Sequence, residues 1–267
     1  MRIIRNPVLF IFIYGLFLSA CQRCGDGNQV IAGIHFNDGL KYERESQFVL
    51  AEREYKKAVE LYPDHRDAHF QLGNLYDKLG LTEKARIQFE QTIDVDPDFP
   101  DAYNNLANSL GQQGKLDEAI EMYKKSIELN DSMTTAHYNL GQSYLLKKDF
   151  NNSEKHLLKA KALKPDESKY YEALGLFYLS DNQIDKALSV FQEGIKIKNC
   201  NPILYYHLGI VYYNQNCFDS SIKHLNIYSS LISDEPEKNI IRQKVREIKA
   251  ESIRVKFASQ RQKLKNH

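Results

Sequence analysis

The chain has 267 residues, 42% of them apolar and 27% charged, with a net charge of +1; this is an ordinary soluble composition with enough apolar residues for a sizeable core. Near-neutrality argues against nucleic acid as the main partner, which needs a broad basic field, and four cysteines are too few for a disulfide-built scaffold of this size. Seventeen Tyr and no Trp suit half-buried positions, where an aromatic body meets water through a polar tip.

The first stretch reads as an address. Arg2 and Arg5 precede an apolar run from Val8 to Leu18, broken only by Tyr14 and Gly15, and Ser19, Ala20 and Cys21 follow. The run is short for a permanent membrane span and ends in small residues, as a cleaved signal does. Leu18-Ser19-Ala20-Cys21 resembles the bacterial lipobox, in which the Cys receives diacylglycerol before cleavage. The resemblance implies a signal peptide over 1–20, lipidation at Cys21 and a lipidated tether over 21–31. Several acyl chains hold a protein firmly where one binds only marginally. Gln22 stands where Asp would signal inner-membrane retention, so the resemblance implies an outer-membrane lipoprotein facing the periplasm in a Gram-negative source, and a cell-surface one otherwise. Two alternatives stand beside it: an ordinary signal peptide with a chance Cys, and an uncleaved anchor. Cys21 and Cys24 also form a C-x-x-C, but a thiol joined to lipid serves neither redox nor zinc chemistry. Arg23 to Gln29, with Gly25, Asp26, Gly27 and Asn28, reads as a flexible stretch.

From there one motif recurs at a fixed period. Leu72-Gly73, Leu106-Ala107, Leu140-Gly141, Leu174-Gly175 and Leu208-Gly209 are 34 residues apart. A large residue follows each small one by three places: Tyr76, Leu110, Tyr144, Tyr178 and Tyr212. Another small residue follows by twelve: Ala85, Ala119, Ser153, Ala187 and Ser221. An earlier copy has Gly39, Tyr42, Ala51, Tyr55, Ala58 and Pro63 in frame, with Asp38 in place of Leu. Small residues mark where two antiparallel helices approach closely, and large ones one turn along fill the flanks. The period is that of the tetratricopeptide repeat (TPR), and the chain is identified as a member of that family over about 32–235. The fold expected is all-α, a right-handed superhelical solenoid of helix-turn-helix repeats with a C-terminal capping helix. Its units are a degenerate first at 32–65, then 66–99, 100–133, 134–167, 168–201 and 202–235. Gly80 and Gly114 sit at the turn inside their units, where Lys148, Asn182 and Asn216 stand in later ones. The unit-ending Pro is present at 63, 97 and 165 and replaced by Asp131, Asn199 and Ser233 elsewhere, so those turns are expected to differ.

After Pro236, Ile241, Val245, Ile248 and Val255 form an apolar stripe with Ser252 completing the spacing. A stack of repeats needs a cap for the apolar side of its last unit, and about 237–258 reads as that helix, within a capping and basic segment at 236–267. The segment holds ten Lys or Arg against three Glu. It is either a solvated cap with a frayed basic end, or a contact for an anionic surface such as a headgroup layer.

In the TPR family the first helices of successive units line a concave groove for peptides or helices. Carried over place by place, the resemblance implies Asp67, Phe70, Gln71, Asn74 and Asp77, then Asp101, Asn104, Asn105, Asn108 and Gln112, then Tyr138, Asn139 and Gln142. This section is rich in amides, each able to pair with a peptide N–H and C=O together; it is similar to the asparagine ladders by which some TPR proteins hold extended peptides. The alternative is that Asn is common filler at these places, Asn105 and Asn139 above all. Towards the C-terminus the same face turns apolar at Leu176, Leu179, Tyr206, Ile210 and Tyr213: an open pocket for a partner helix, or a face covered by the cap. The basic clamp of chaperone-binding TPR domains is missing, since only Lys78 and Lys169 occur at groove places.

His69 and His137 are two units apart, roughly 20 Å against metal bonds of about 2 Å, so packing accounts for them and no metal or cofactor is expected. Cys200 and Cys217 fall at opposite ends of one helix, about 25 Å apart at 1.5 Å per residue, beyond the reach of an internal disulfide. No catalytic motif is present, and no enzyme is expected. The function implied is a lipid-anchored scaffold that holds peptides or helices of envelope proteins for assembly or positioning of a membrane or cell-wall complex. The second reading is a soluble or transmembrane-anchored TPR co-chaperone or regulatory adaptor.

Overall fold

The computed structural model describes residues 27–265, so Cys21 and the signal segment lie outside the described residues. These residues form thirteen helices and no strand. They divide into two compact units. The first contains α1 (27–44), α2 (Phe48–Leu61), α3 (Arg66–Lys78), α4 (Thr82–Val95), α5 (Pro100–Gln112) and α6 (Leu116–Leu129). The second contains α7 (Thr134–Leu146), α8 (Phe150–Leu163), α9 (Ser168–Ser180), α10 (Ile184–Gly194), α11 (Ile203–Asn214), α12 (Phe218–Leu231) and α13 (Glu235–Lys265). Within each, consecutive helices form antiparallel pairs that stack on the next pair. The expected all-α helix-turn-helix architecture is what each unit adopts.

Helices of 13 or 14 residues, the usual length here, are marginal alone, so packing holds them. The repeated small residue is where the pair closes. A Cβ added at Gly73 would come within 2.7 Å of Phe89 Cε1, and one at Gly209 within 2.6 Å of Leu225 Cγ. Gly39 meets Tyr55 in the same way, so the first pair closes normally and Asp38 is simply exposed. Tyr55, Phe89, Tyr123, Leu157, Phe191 and Leu225, one per pair, are buried.

The turn inside each pair has one geometry. Ser46, Gly80, Gly114, Lys148, Asn182 and Asn216 all take a positive φ, between 57° and 77°. The next residue donates its N–H to a carbonyl five places back, as from Leu81 to Tyr76 O at 2.8 Å and from Asp149 to Tyr144 O at 2.9 Å. This double-bonded αL cap ends a helix without orphaned carbonyls. Between pairs, the missing Pro at Asp131 changes little: Asn130 Oδ1 accepts from Ser132 N at 3.0 Å, as Asp96 Oδ1 accepts from Asp98 N at 3.2 Å. At the end of the fifth repeat the turn does differ. Helix α10 stops at Gly194, where a Cβ would meet Leu204 Cδ1 at 2.8 Å and Tyr171 Cβ at 2.9 Å, and Asn199 takes φ 58°.

Two boundaries differ from expectation. Residues 27–31, expected as tether, are already helical in α1, because Ala32 and Phe36 pack with Ala58 and Ala68 and extend the helix backwards. Helix α13 runs Glu235–Lys265, beyond the 237–258 expected. Its stripe is Ile241, Val245, Ile248 and Ser252, all buried, whereas Val255 is 48% exposed, because three residues past Ser252 the helix has left the surface it caps.

Candidate functional site

The first unit brings its amides together. Helices α3 and α5 lie side by side, and Asn105 Nδ2 donates to Asn74 Oδ1 at 2.8 Å across them. Asn104 Nδ2 donates to Asn105 Oδ1 at 3.0 Å, and Asn74 Nδ2 to Gln71 Oε1 at 3.3 Å. One turn along, Gln112 Nε2 donates to Asp77 Oδ1 at 3.1 Å and accepts from Thr82 Oγ1 at 2.9 Å. Gln71, Asn74 and Asn105 are half-buried. An amide has two N–H groups and two lone pairs; Asn74 and Asn105 each give one donor and one acceptor to this relay, leaving one of each to present.

Two expected groove residues have other roles. Asn104 is 7% exposed and its Oδ1 is buried with no partner. It lies one turn before Ala107 on the same helix face, which turns it into the seam between helices rather than to an open groove. Asn108 Oδ1 accepts from the Tyr123 hydroxyl at 2.6 Å; burial raises the pKa of that phenol well above the ordinary range, so it stays a donor. An Asn104→Ala, Asn108→Ala variant would therefore mix lost packing with lost binding, and Asn74 and Asn105 are the cleaner pair.

In the second unit, Tyr138 packs edge-on against Tyr170 with centroids 5.6 Å apart, and Gln142 Nε2 reaches its hydroxyl at 3.3 Å. Asn139 is half-buried and Leu176 is 38% exposed. Of the two alternatives for Tyr206, Ile210 and Tyr213, an open pocket or a face covered by the cap, the contacts are those of the second. These side chains pack against a cluster that includes Ile241, Val245 and Ile248 of α13, and the Tyr213 hydroxyl donates to Glu251 at 2.8 Å. The chain's own last helix takes the place of the partner helix.

Tyrosines tie helices together throughout. Tyr76 donates to Glu52 at 3.0 Å and Tyr178 to Glu154 at 2.7 Å, the same places three repeats apart. His69 bonds Gln88 and Pro63 O, each at 2.9 Å, and His137 stacks on His156, as packing roles require. Cys200 and Cys217 are free. Lys78 lies over the Phe48 ring and Lys169 pairs with Glu167 at 3.1 Å.

Two features were not foreseen. His35, Asp38 and Glu54 bring ligand-type atoms within 4.8 Å of one another. However, the buried Glu54 carboxylate is already met by His35 Nδ1 at 2.6 Å, Arg53 Nε at 2.8 Å and Lys57 Nζ at 3.2 Å; these partners hold its pKa low against burial. A cavity of about 540 Å³ lies among Gln29, Gly33, Tyr62, His65, Arg66 and Asp96, where Arg66 spans Asp67 at 2.7 Å and Asp96 at 2.9 Å. Neither is legible in the sequence, because each joins residues far apart in the chain whose pairing depends on where α1 docks.

Comparison with known proteins places this geometry. Tetratricopeptide repeat models match residues 44–110, 100–133 and 134–167, and a TPR repeat model matches 175–216. No curated protein matches the chain. Among solved structures, it is similar to PilW, described as a widely conserved type IV pilus biogenesis factor, with TM-score 0.68 and 16% identity over 79% of this chain and 98% of that one. It is similar to Pseudomonas aeruginosa pilF, with TM-score 0.66 and 15% identity over 82% and 99%. YrrB, described as a TPR protein with an unusual peptide-binding site, gives TM-score 0.55 and 17% identity over 71% and 97%. At these identities the likeness is one of fold. With the 34-residue spacing, the paired helices and the matched models together, the chain belongs to the tetratricopeptide repeat family.

Proposed function

We propose that this protein is a lipid-anchored scaffold whose α3–α5 amide array holds an extended peptide segment of an envelope protein. The observation that carries the reading is the Asn105–Asn74 bond at 2.8 Å. It fixes two amides in register on adjacent helices while leaving each a donor and an acceptor, which is what main-chain capture independent of side chains requires. The TPR scaffold fold, which the pilus and peptide-binding proteins share, supports partner binding without naming the partner. The lipid anchor rests on Leu18-Ser19-Ala20-Cys21; among the described residues no helix is long and apolar enough to cross a membrane. Localisation follows as an outer-membrane lipoprotein facing the periplasm in a Gram-negative source, with the basic end of α13 meeting an anionic surface.

Probing overlapping peptides tiled across the host's exported proteins with the full chain tests the groove. The expected outcome is capture of extended segments that weakens at least about tenfold in Asn74→Ala, Asn105→Ala, two hydrogen-bonding side chains being lost. Undiminished capture by the double variant would sink the reading. Metabolic labelling with a fatty acid, in wild type and Cys21→Ser, tests the tether separately: no label on the wild type would end it.

A further inference from the structure

Helix α13 carries two stripes on different sides. The inner one, Ile241, Val245, Ile248 and Ser252, is buried against the last repeat. Beyond it the helix continues, and every residue from 253 to 262 is exposed. A free helix end is expected to be polar all round, but Ile253 is 54% and Phe257 61% exposed, and their spacing of four puts them on one face. At 3.6 residues per turn this face lies about 130° round from the docking stripe, so the contact that caps the repeats leaves it uncovered.

Cations frame it. By the same periodicity Arg254 and Arg261 lie along one edge of the apolar stripe, and Lys249 and Lys256 along the other. From Ser252 to Lys265 the sequence has five Lys or Arg and no Asp or Glu. Among the described residues, Lys256 pairs here with Asp219 at 3.8 Å, open to water; such exposed pairs are weak. Segment 236–267 carries about +7, leaving about −6 on the rest of the chain, so an anionic surface attracts this end and repels the remainder. An apolar stripe between two rows of long cationic side chains fits a bilayer interface: the apolar groups enter the acyl boundary while Lys and Arg stems reach the headgroups. A nucleic acid would use the charges and leave Ile253 and Phe257 without a role.

We infer that the distal part of α13 is an interfacial membrane helix that inserts Ile253 and Phe257 into a bilayer containing anionic phospholipid. The inference rests on the anionic-surface reading above, is independent of the peptide groove, and goes beyond that reading in naming insertion and the residues that insert.

The absence of Trp makes Phe257→Trp in the full chain a single fluorescent reporter at the site. Vesicles of phosphatidylcholine, alone or mixed with phosphatidylglycerol, are titrated while Trp emission is followed. The expected result is a shift to shorter wavelength with the anionic vesicles only. Adding Arg254→Glu and Lys256→Glu should weaken partitioning at least about tenfold, each charge near an anionic surface being worth about a factor of five. Circular dichroism should be unchanged, since both positions are exposed. Charge-dependent sedimentation with anionic vesicles but unchanged emission would overturn insertion and leave a headgroup contact standing. No charge-dependent effect of anionic lipid on either readout would sink both. An equal shift with neutral vesicles would also overturn the inference.

Discussion

Gly73 and Lys148 show how differently a single position can be constrained in this chain. The space at Gly73 is taken by the Phe89 ring, which an added Cβ would meet at 2.7 Å. Gly73→Ala should therefore cost about 2 kcal/mol, in the range of core overpacking, read as a lowered urea midpoint with unchanged slope. Lys148 is constrained by backbone instead: its φ of 59° lies where an L side chain is strained and glycine is not. Lys148→Gly should stabilise by about 1 kcal/mol, bringing the fourth turn to the chemistry of Gly80 and Gly114; a loss of stability would contradict the cap geometry. The spacing made both positions legible. It could not show that Ser46 makes the same turn in the degenerate repeat, since serine there carries no signal of a left-handed residue.

Between residue and element stand the tyrosines. Burial first, then a carboxylate partner, raises the pKa of Tyr55 (Glu43), Tyr76 (Glu52) and Tyr178 (Glu154) above their ordinary value of 10, and pushes Tyr228 (Glu237) up to about 12. A raised folded-state value means that the stability contribution is complete below pH 10 and is lost as pH rises through the folded values. The denaturant midpoint should be flat from neutrality to about pH 10 and fall above it, with net proton release on unfolding. A flat profile to pH 12 would contradict these partners.

At the scale of the element, α13 decides how the second unit ends. Phe218, Leu225 and Tyr228 share a buried cluster with Ile241, Val245 and Ile248, and Tyr206, Ile210 and Tyr213 pack on it. A chain stopped after Asp234 should lose cooperative unfolding of the last repeat and bind a hydrophobic dye. One stopped after Ser252 keeps the whole buried stripe, and its stability should stay within about 0.5 kcal/mol of wild type, as for surface changes. The periodicity identified α13 as a cap and named its stripe. It did not show that the cap consumes the apolar face of α11, because a helical pattern gives which side is apolar and not what stands against it. The same limit explains Asn104: its place in the repeat implies a groove residue, yet it lies in an interhelical seam. Helix α1 was partly missed for the opposite reason, since Gly27 and Asn28 read as breakers while Ala32 and Phe36 hold the helix by tertiary contact.

For the molecule as a whole, sequence and structure agree on a chain of paired helices closed by a last single one. The repeat family was legible because one spacing recurs without insertion from Leu72 to Gly209. The relay through Gln71, Asn74, Asn105 and Asn104 was legible only as a composition; which amides bond to which depends on the approach of two helices about one repeat apart in the chain. Whether this array reads a peptide's main chain is decided by a double-mutant cycle on a captured peptide. Its affinity is measured with and without N-methylation of each successive main-chain amide, against wild type and Asn105→Ala. N-methylation at the contacted amides should cost wild type about tenfold, the worth of one unmade hydrogen bond, and this cost should disappear in Asn105→Ala. A peptide whose affinity ignores N-methylation and follows its side chains instead would contradict main-chain capture.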